Sequence, residues 1–113
     1  MDYRTIGLLL RSKDMTIEDF KDDLARVGLK KPQLLLEKLE KVGLNKQELS
    51  VMKLRYIDGL FIKQIPEYVQ AEERWVKKLH SRAIIKTLDA LSVLDLFELG
   101  VPIKVTLRTL YQA

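Results

Sequence analysis

No glycine or proline falls between Glu72 and Leu99, and apolar residues recur through that stretch at helical spacing: Val76, Leu79, Ala83, Ile84, Leu88, Leu91, Leu94 and Leu99. Such a segment is one long helix, or two helices with a bend near Thr87, and Gly100 and Val101-Pro102 close it. Its apolar residues exceed one stripe. Leu88, Leu91, Val93, Leu94, Leu96, Phe97 and Leu99 cover much of the circumference, so the helix is either central in the fold or buried against a second copy. A homodimer through the 84–99 helix, with Leu91, Leu94 and Phe97 as partner contacts, is the expectation that follows.

The residues before it read as further helices. Thr16 is a candidate N-cap, with Asp19 three residues on, ahead of Ile17, Phe20, Leu24 and Val27 at helical spacing. Gly28 and Leu29 read as a left-handed stop with its following apolar residue. Pro32 suits the first turn of the next helix, and Leu34, Leu35, Leu36, Leu39 and Val42 give that helix a broad apolar face before Gly43 and Leu44 repeat the stop. Asn45 and Glu48 form another N-cap and N3 pair, and Asp58-Gly59 ends the helix they open. A short helix carrying Leu60, Ile62, Ile65, Tyr68 and Val69 follows, then a turn at Gln70-Ala71. At the N-terminus, Tyr3, Ile6, Leu9 and Leu10 fall on one helical stripe. At the other end, residues 103–108 alternate apolar and polar side chains, which suits extended structure or a final helical turn equally.

Composition removes several function classes. There is no cysteine, so there are no disulfides, thiolate metal sites or cysteine nucleophiles. One histidine, His80, cannot build a multi-histidine metal site, and it reads as a polar residue on a helix surface. No glycine-rich phosphate loop, metal-ligand spacing or catalytic triad pattern occurs. The expectation is a non-enzymatic protein with no catalytic residues, no metal and no cofactor. The apolar run Ile6–Leu10 stops at Arg11, too short for a membrane span, so a soluble cytoplasmic protein is expected.

Charge then points to a partner. The net charge is +4, and it is unevenly spread. Residues 44–86 hold nine basic and five acidic groups, whereas residues 1–43 and 87–113 are each within one charge of neutral. A basic excess concentrated in one helical unit is the footprint of a nucleic-acid contact. In that unit the turn at Gln70-Ala71 separates two helices. The second carries Arg74, Lys77, Lys78, Ser81 and Arg82 on the side away from Val76 and Leu79. This is the layout of a helix-turn-helix, whose last helix enters the major groove. Ile65 and Val69 are expected to pack on Val76 and Leu79. Trp75 reads as a packing residue or a protein contact, and Arg55 as the partner of an acidic side chain.

The run Met52-Lys53-Leu54-Arg55-Tyr56-Ile57-Asp58-Gly59-Leu60 resembles the opening of region 4 of sigma-70-type transcription initiation factors. Lys63-Gln64-Ile65 is similar to the first motif helix of that family. Val76-Lys77 and Leu79-His80-Ser81-Arg82-Ala83 are similar to its second. The chain departs from the pattern at Pro66, where the family has alanine, and proline there is expected to shorten or kink the helix. It departs again at Gln70, where glycine is usual, and at Glu72, where serine or threonine usually caps the recognition helix. Glu72 and Glu73 together set two carboxylates where phosphates would lie.

The resemblance implies a small transcription regulator of the kind found in phages and mobile elements, with double-stranded DNA as partner and Arg74, Lys77, Lys78, Ser81 and Arg82 as contacts. The alternative is a degenerate motif that docks on RNA polymerase or another regulator without touching DNA, with Trp75, Leu91, Leu94 and Phe97 as candidate partner contacts. The expected architecture is all-α, with five to six helices in a single domain: an N-terminal helical hairpin within 1–43, the helix-turn-helix unit at 44–86, and a long C-terminal helix with its tail to 113.

Overall fold

The computed structural model describes residues 16–102. The helical stripe expected near Tyr3–Leu10 and the alternating segment 103–108 lie outside those residues. Among the described residues there are six helices and no strand, so the all-α architecture holds.

Helix α1 spans Ile17–Lys30, and its start is the expected one: the Asp19 N–H donates to Thr16 Oγ1 at 3.1 Å. Its end is not. Gly28 is no left-handed stop; it lies inside the helix, fully buried, and Leu29 after it is exposed. The reason is a close crossing. A Cβ built on Gly28 would sit 1.7 Å from the Tyr56 carbonyl oxygen, so only glycine lets the two backbones meet. Lys31 alone joins α1 to α2, Pro32–Lys41, whose proline stands in the first turn. Gly43, at φ +89°, does end that helix as expected. Of the two similar Val-Gly-Leu sequences, one is a stop and one is a crossing point.

Asn45 and Glu48 form a complete capping box at the start of α3, Lys46–Met52: each backbone N–H donates to the other's side chain, at 2.8 and 3.0 Å. The helix then runs into a π-helical turn over Lys53–Ile57, closed by the Asp58 N–H donating to the Lys53 carbonyl. That turn carries the Tyr56 carbonyl against Gly28.

Helix α4 is Ile65–Val69 and α5 is Glu73–Ala90. The long C-terminal helix of the sequence reading is in fact two helices, α5 and the short α6, Val93–Leu99. The break is not at Thr87, whose hydroxyl donates to the Ala83 carbonyl inside α5. It falls at Leu91-Ser92, because Ser92 and Asp95 form a second capping box: the Asp95 N–H donates to Ser92 Oγ and the Ser92 N–H to Asp95 Oδ2, both at 3.0 Å. Gly100 and Val101 then end α6 in a Schellman turn, donating to the Phe97 and Leu96 carbonyls.

Two apolar clusters result. The larger joins α1, α2, the π turn, the second half of α5 and α6 through Phe20, Leu24, Leu39, Tyr56, Ile84 and Leu96. Leu91 belongs to it, only 2% exposed, so the partner contact expected of Leu91 is overturned: the break at Ser92 turns it into the core. Leu94 and Phe97 remain exposed, Phe97 by 77%. The smaller cluster, Val51, Ile65, Val76 and Leu79 with Val69 against it, is the expected packing of α4 on α5. Helix α6 is tied to α2 by buried Lys38, whose ammonium donates to Asp95 Oδ1 at 2.7 Å and pairs with Glu98 at 3.0 Å.

The crossing at Gly28 sets a test. In a free helix Gly→Ala stabilises by about 1 kcal/mol, but here the added methyl meets backbone that cannot rotate away. Gly28→Ala should therefore destabilise by about 3 kcal/mol or more in urea denaturation, while Leu29→Ala next to it changes stability by under about 0.5 kcal/mol.

Candidate nucleic-acid interface

The three departures from the family pattern are accommodated locally, each in its own way. Pro66 stands in the first turn of α4, where its missing N–H removes no helical bond. The helix begins later and is short, because Ile62–Gln64 form turns instead: the Gln64 N–H donates to the Phe61 carbonyl and the Phe61 N–H to Gln64 Oε1. Gln70 takes the left-handed conformation, φ 53° and ψ 49°, that glycine normally supplies. Glu72 is the N-cap of α5 by backbone geometry, but its side chain caps nothing. The turn between α4 and α5 is thus made at a cost in backbone strain and an unmade cap.

Helix α5 has two unlike sides. Val76, Leu79, His80, Ala83, Ile84 and Thr87 are buried. Arg74, Lys77, Lys78, Ser81 and Arg82 are all exposed, and at helical spacing they share the opposite face. Lys77 reaches Glu73 one turn back at 3.8 Å, a surface pair with little hold on either group. Arg82 lies over the Trp75 ring at 5.6 Å. Trp75 is 37% exposed and stands at the edge of this face, in the small hollow between α3, α4 and α5.

Lys86, at the far end of the same helix, points elsewhere. Its ammonium donates to Glu48 Oε1 at 2.7 Å, and Glu48 is buried, with its other oxygen unpartnered among the described residues. Burial opposes the charge on Glu48, but Lys86, the Asn45 N–H and the nearby Arg82 outweigh it and hold its carboxyl below the usual range.

His80 corrects the sequence reading. It is not a surface residue: it is buried and stacks against Tyr56, with Nε2 2.6 Å from the phenol oxygen. Burial, helped by the charges of Lys21 and Arg55, pulls its pKa down to about 4, and burial pushes the Tyr56 phenol up. Both are neutral near pH 7, which suits the phenol O–H donating to an unprotonated nitrogen. Arg55 also departs from expectation. It donates to the Leu60 carbonyl at 3.4 Å and lies over the Tyr56 and Phe61 rings, bracing the loop into α4.

The face is therefore a set of four exposed cations, with Lys77 loosely paired to Glu73 and Arg82 over Trp75, on a helix held by the neutral pair of His80 with Tyr56 and the ion pair of Lys86 with Glu48. Among the described residues no three histidine, aspartate or glutamate side chains gather as a metal site would require, and no helix is long and apolar enough to cross a membrane.

Two measurements check this account. Gln70→Gly and Glu72→Thr should each raise stability by about 0.5–1 kcal/mol, one by relieving the left-handed glutamine and the other by supplying a cap. The second concerns pH. Between about pH 6.5 and 4 the unfolded chain takes up a proton that buried His80 refuses, so stability falls as pH falls through that window. Urea denaturation at pH 7 and pH 5 should differ by about 2 kcal/mol, and His80→Gln should remove most of that difference.

Comparison of the chain with protein-family models, with curated proteins and with solved structures finds no match.

Proposed function

We propose that the protein is a small transcription regulator that binds double-stranded DNA by laying α5 in the major groove. The observation that carries the reading is the face of α5: four cations, Arg74, Lys77, Lys78 and Arg82, exposed around Ser81, with the opposite side of the helix buried against α4 and the core. Arginine and lysine in that position bind phosphate oxygens, and Arg74 near the start of the helix can reach a guanine edge in bidentate fashion. Ser81 donates or accepts between them. A tight left-handed turn at Gln70 joins α4 to α5, the kind of connection that a helix-turn-helix uses. Such a protein works in the cytoplasm, beside the chromosome.

A second reading has its own support. Glu72 and Glu73 put two carboxylates at the end of α5 that would approach phosphates, and Trp75, Leu94 and Phe97 leave apolar surface uncovered. These features suit a module that docks on RNA polymerase or another regulator. Leu94 and Phe97, with the half-exposed Ile85, are the residues of the 84–99 segment through which a homodimer would form.

Binding of labelled duplex DNA, followed by fluorescence anisotropy across a salt series, separates the two readings. The DNA reading predicts affinity falling steeply with salt. Lys77→Ala and Lys78→Ala should each weaken binding across sequences and lower the salt slope by about 1. Glu73→Gln should tighten binding. Absence of binding at low salt would reject the DNA reading and leave the protein-docking one.

A further inference from the structure

Tyr68 and Trp75 are aromatic side chains that the two cores do not use. Tyr68 is 64% exposed at the end of α4, Trp75 stands on the near side of α5, and between them opens a hollow of about 260 Å³ against α3. Its floor is apolar, from Val69 and Leu79, and its rim is polar, from Lys46 and Ser50. Drug-sized ligands occupy pockets of about 300–1,000 Å³, so this hollow is below that class; one bulky side chain fills it. Its walls are the residue types that dominate the energetics of protein interfaces: a tryptophan, a tyrosine and, through the stack on Trp75, an arginine. The stack also restrains the indole, which lowers the cost of ordering it when a partner binds.

The electrostatics choose the partner. Among the described residues lining the hollow, the single charged one is Lys46, and Arg82 adds a second cation over Trp75. Of the carboxylates around it, Glu48 is buried and paired with Lys86, while the exposed Glu67 and Glu72, next in the chain to Tyr68 and Ala71, are not part of the lining. Lys46 is moreover the first residue of α3, where the helix dipole disfavours a cation. The local structure gives no reason for a lysine there; an anionic partner does.

We propose that this hollow docks an acidic segment of a partner protein, with one bulky apolar side chain seated between Tyr68 and Trp75 and carboxylates set against Lys46 and Arg82. The proposal rests on the protein-docking reading, to which it gives a seat and a partner chemistry, and it does not depend on DNA being bound. Lys77 and Lys63 lie outside the hollow's lining, so a partner there leaves that part of the cationic surface open.

The test is selection of a random peptide library displayed on phage against the full chain, with anisotropy measurements on the selected peptides. Expected sequences carry aspartate and glutamate around a single leucine, phenylalanine or tryptophan. Their affinity should drop about tenfold or more in Tyr68→Ala and in Trp75→Ala and in Lys46→Glu, should weaken with salt, and should be unchanged in Lys63→Ala. Circular dichroism melting of each variant separates lost binding from lost folding; Lys46→Glu, an exposed position, keeps the test open should Trp75→Ala unfold. Five outcomes overturn the proposal. Selected peptides could lack the acidic excess, or no peptide could be selected. Binding could survive Tyr68→Ala and be lost in Phe97→Asp, which would keep the protein-docking reading and move its site to α6. Self-association lost in Tyr68→Ala would make the occupant a second copy. Duplex binding lost in Tyr68→Ala would assign the hollow to DNA.

Discussion

Helix α5 is held from behind by two polar contacts to α3 and its π-helical extension, and the rest of the molecule depends on them. One is the neutral pair of Tyr56 and His80; the other is the ion pair of Glu48 and Lys86. They lie six residues apart on α5, about 1.7 turns, and on different sides of it, so between them they fix its rotation as well as its position. Rotation decides which side chains the helix presents to solvent. A helix turned by a quarter about its own axis would bury Arg74 or Lys78 and expose Val76 or Ile84. Apolar packing alone resists that turn weakly, since one leucine replaces another at small cost. A buried hydrogen bond resists it strongly, because breaking it strands a desolvated group.

The same economy explains the front of the molecule. The π turn after Met52 delivers Tyr56 to His80 with its ring and to Gly28 with its carbonyl, so α1 can cross close behind. Capping boxes at Asn45 and Ser92 start α3 and α6 where the chain must change direction. None of these devices is on the cationic face. On that face Arg82 lies over Trp75 and Lys77 pairs loosely with Glu73, and all its side chains stay exposed.

Much of this was legible in the sequence, and what was not has physical causes. Thr16, Pro32, Gly43 and the Asn45–Glu48 pair marked helix ends because a cap is local: the residues that make it are neighbours in the chain. The packing of Ile65 and Val69 on Val76 and Leu79 was legible because a short turn joins the two helices that carry them. Gly28 misled because a glycine inside a helix and one just past its end look alike until the backbone that crosses it is known. His80 misled for a similar reason. A histidine is read as exposed unless its partner is in view, and Tyr56 is 24 residues away in the chain. Ser92 was overlooked because the leucines around it keep helical period across the break, although Ser92-x-x-Asp95 carried the signal. The set at 74–82 was identified from charge and spacing, and its four cations and Ser81 are exposed together; Lys86, further along the same helix, is taken by Glu48.

The central claim is that the Arg74–Arg82 side of α5 is the working surface and that duplex DNA is what it meets. Nuclear magnetic resonance titration of the isotope-labelled chain with a short duplex tests it residue by residue. The account predicts that the backbone signals of Arg74, Lys77, Lys78, Ser81 and Arg82 shift together, while those of Leu94 and Phe97 stay in place. Shifts confined to the α6 surface or to the Tyr68–Trp75 hollow, or no shift at low salt, would contradict it.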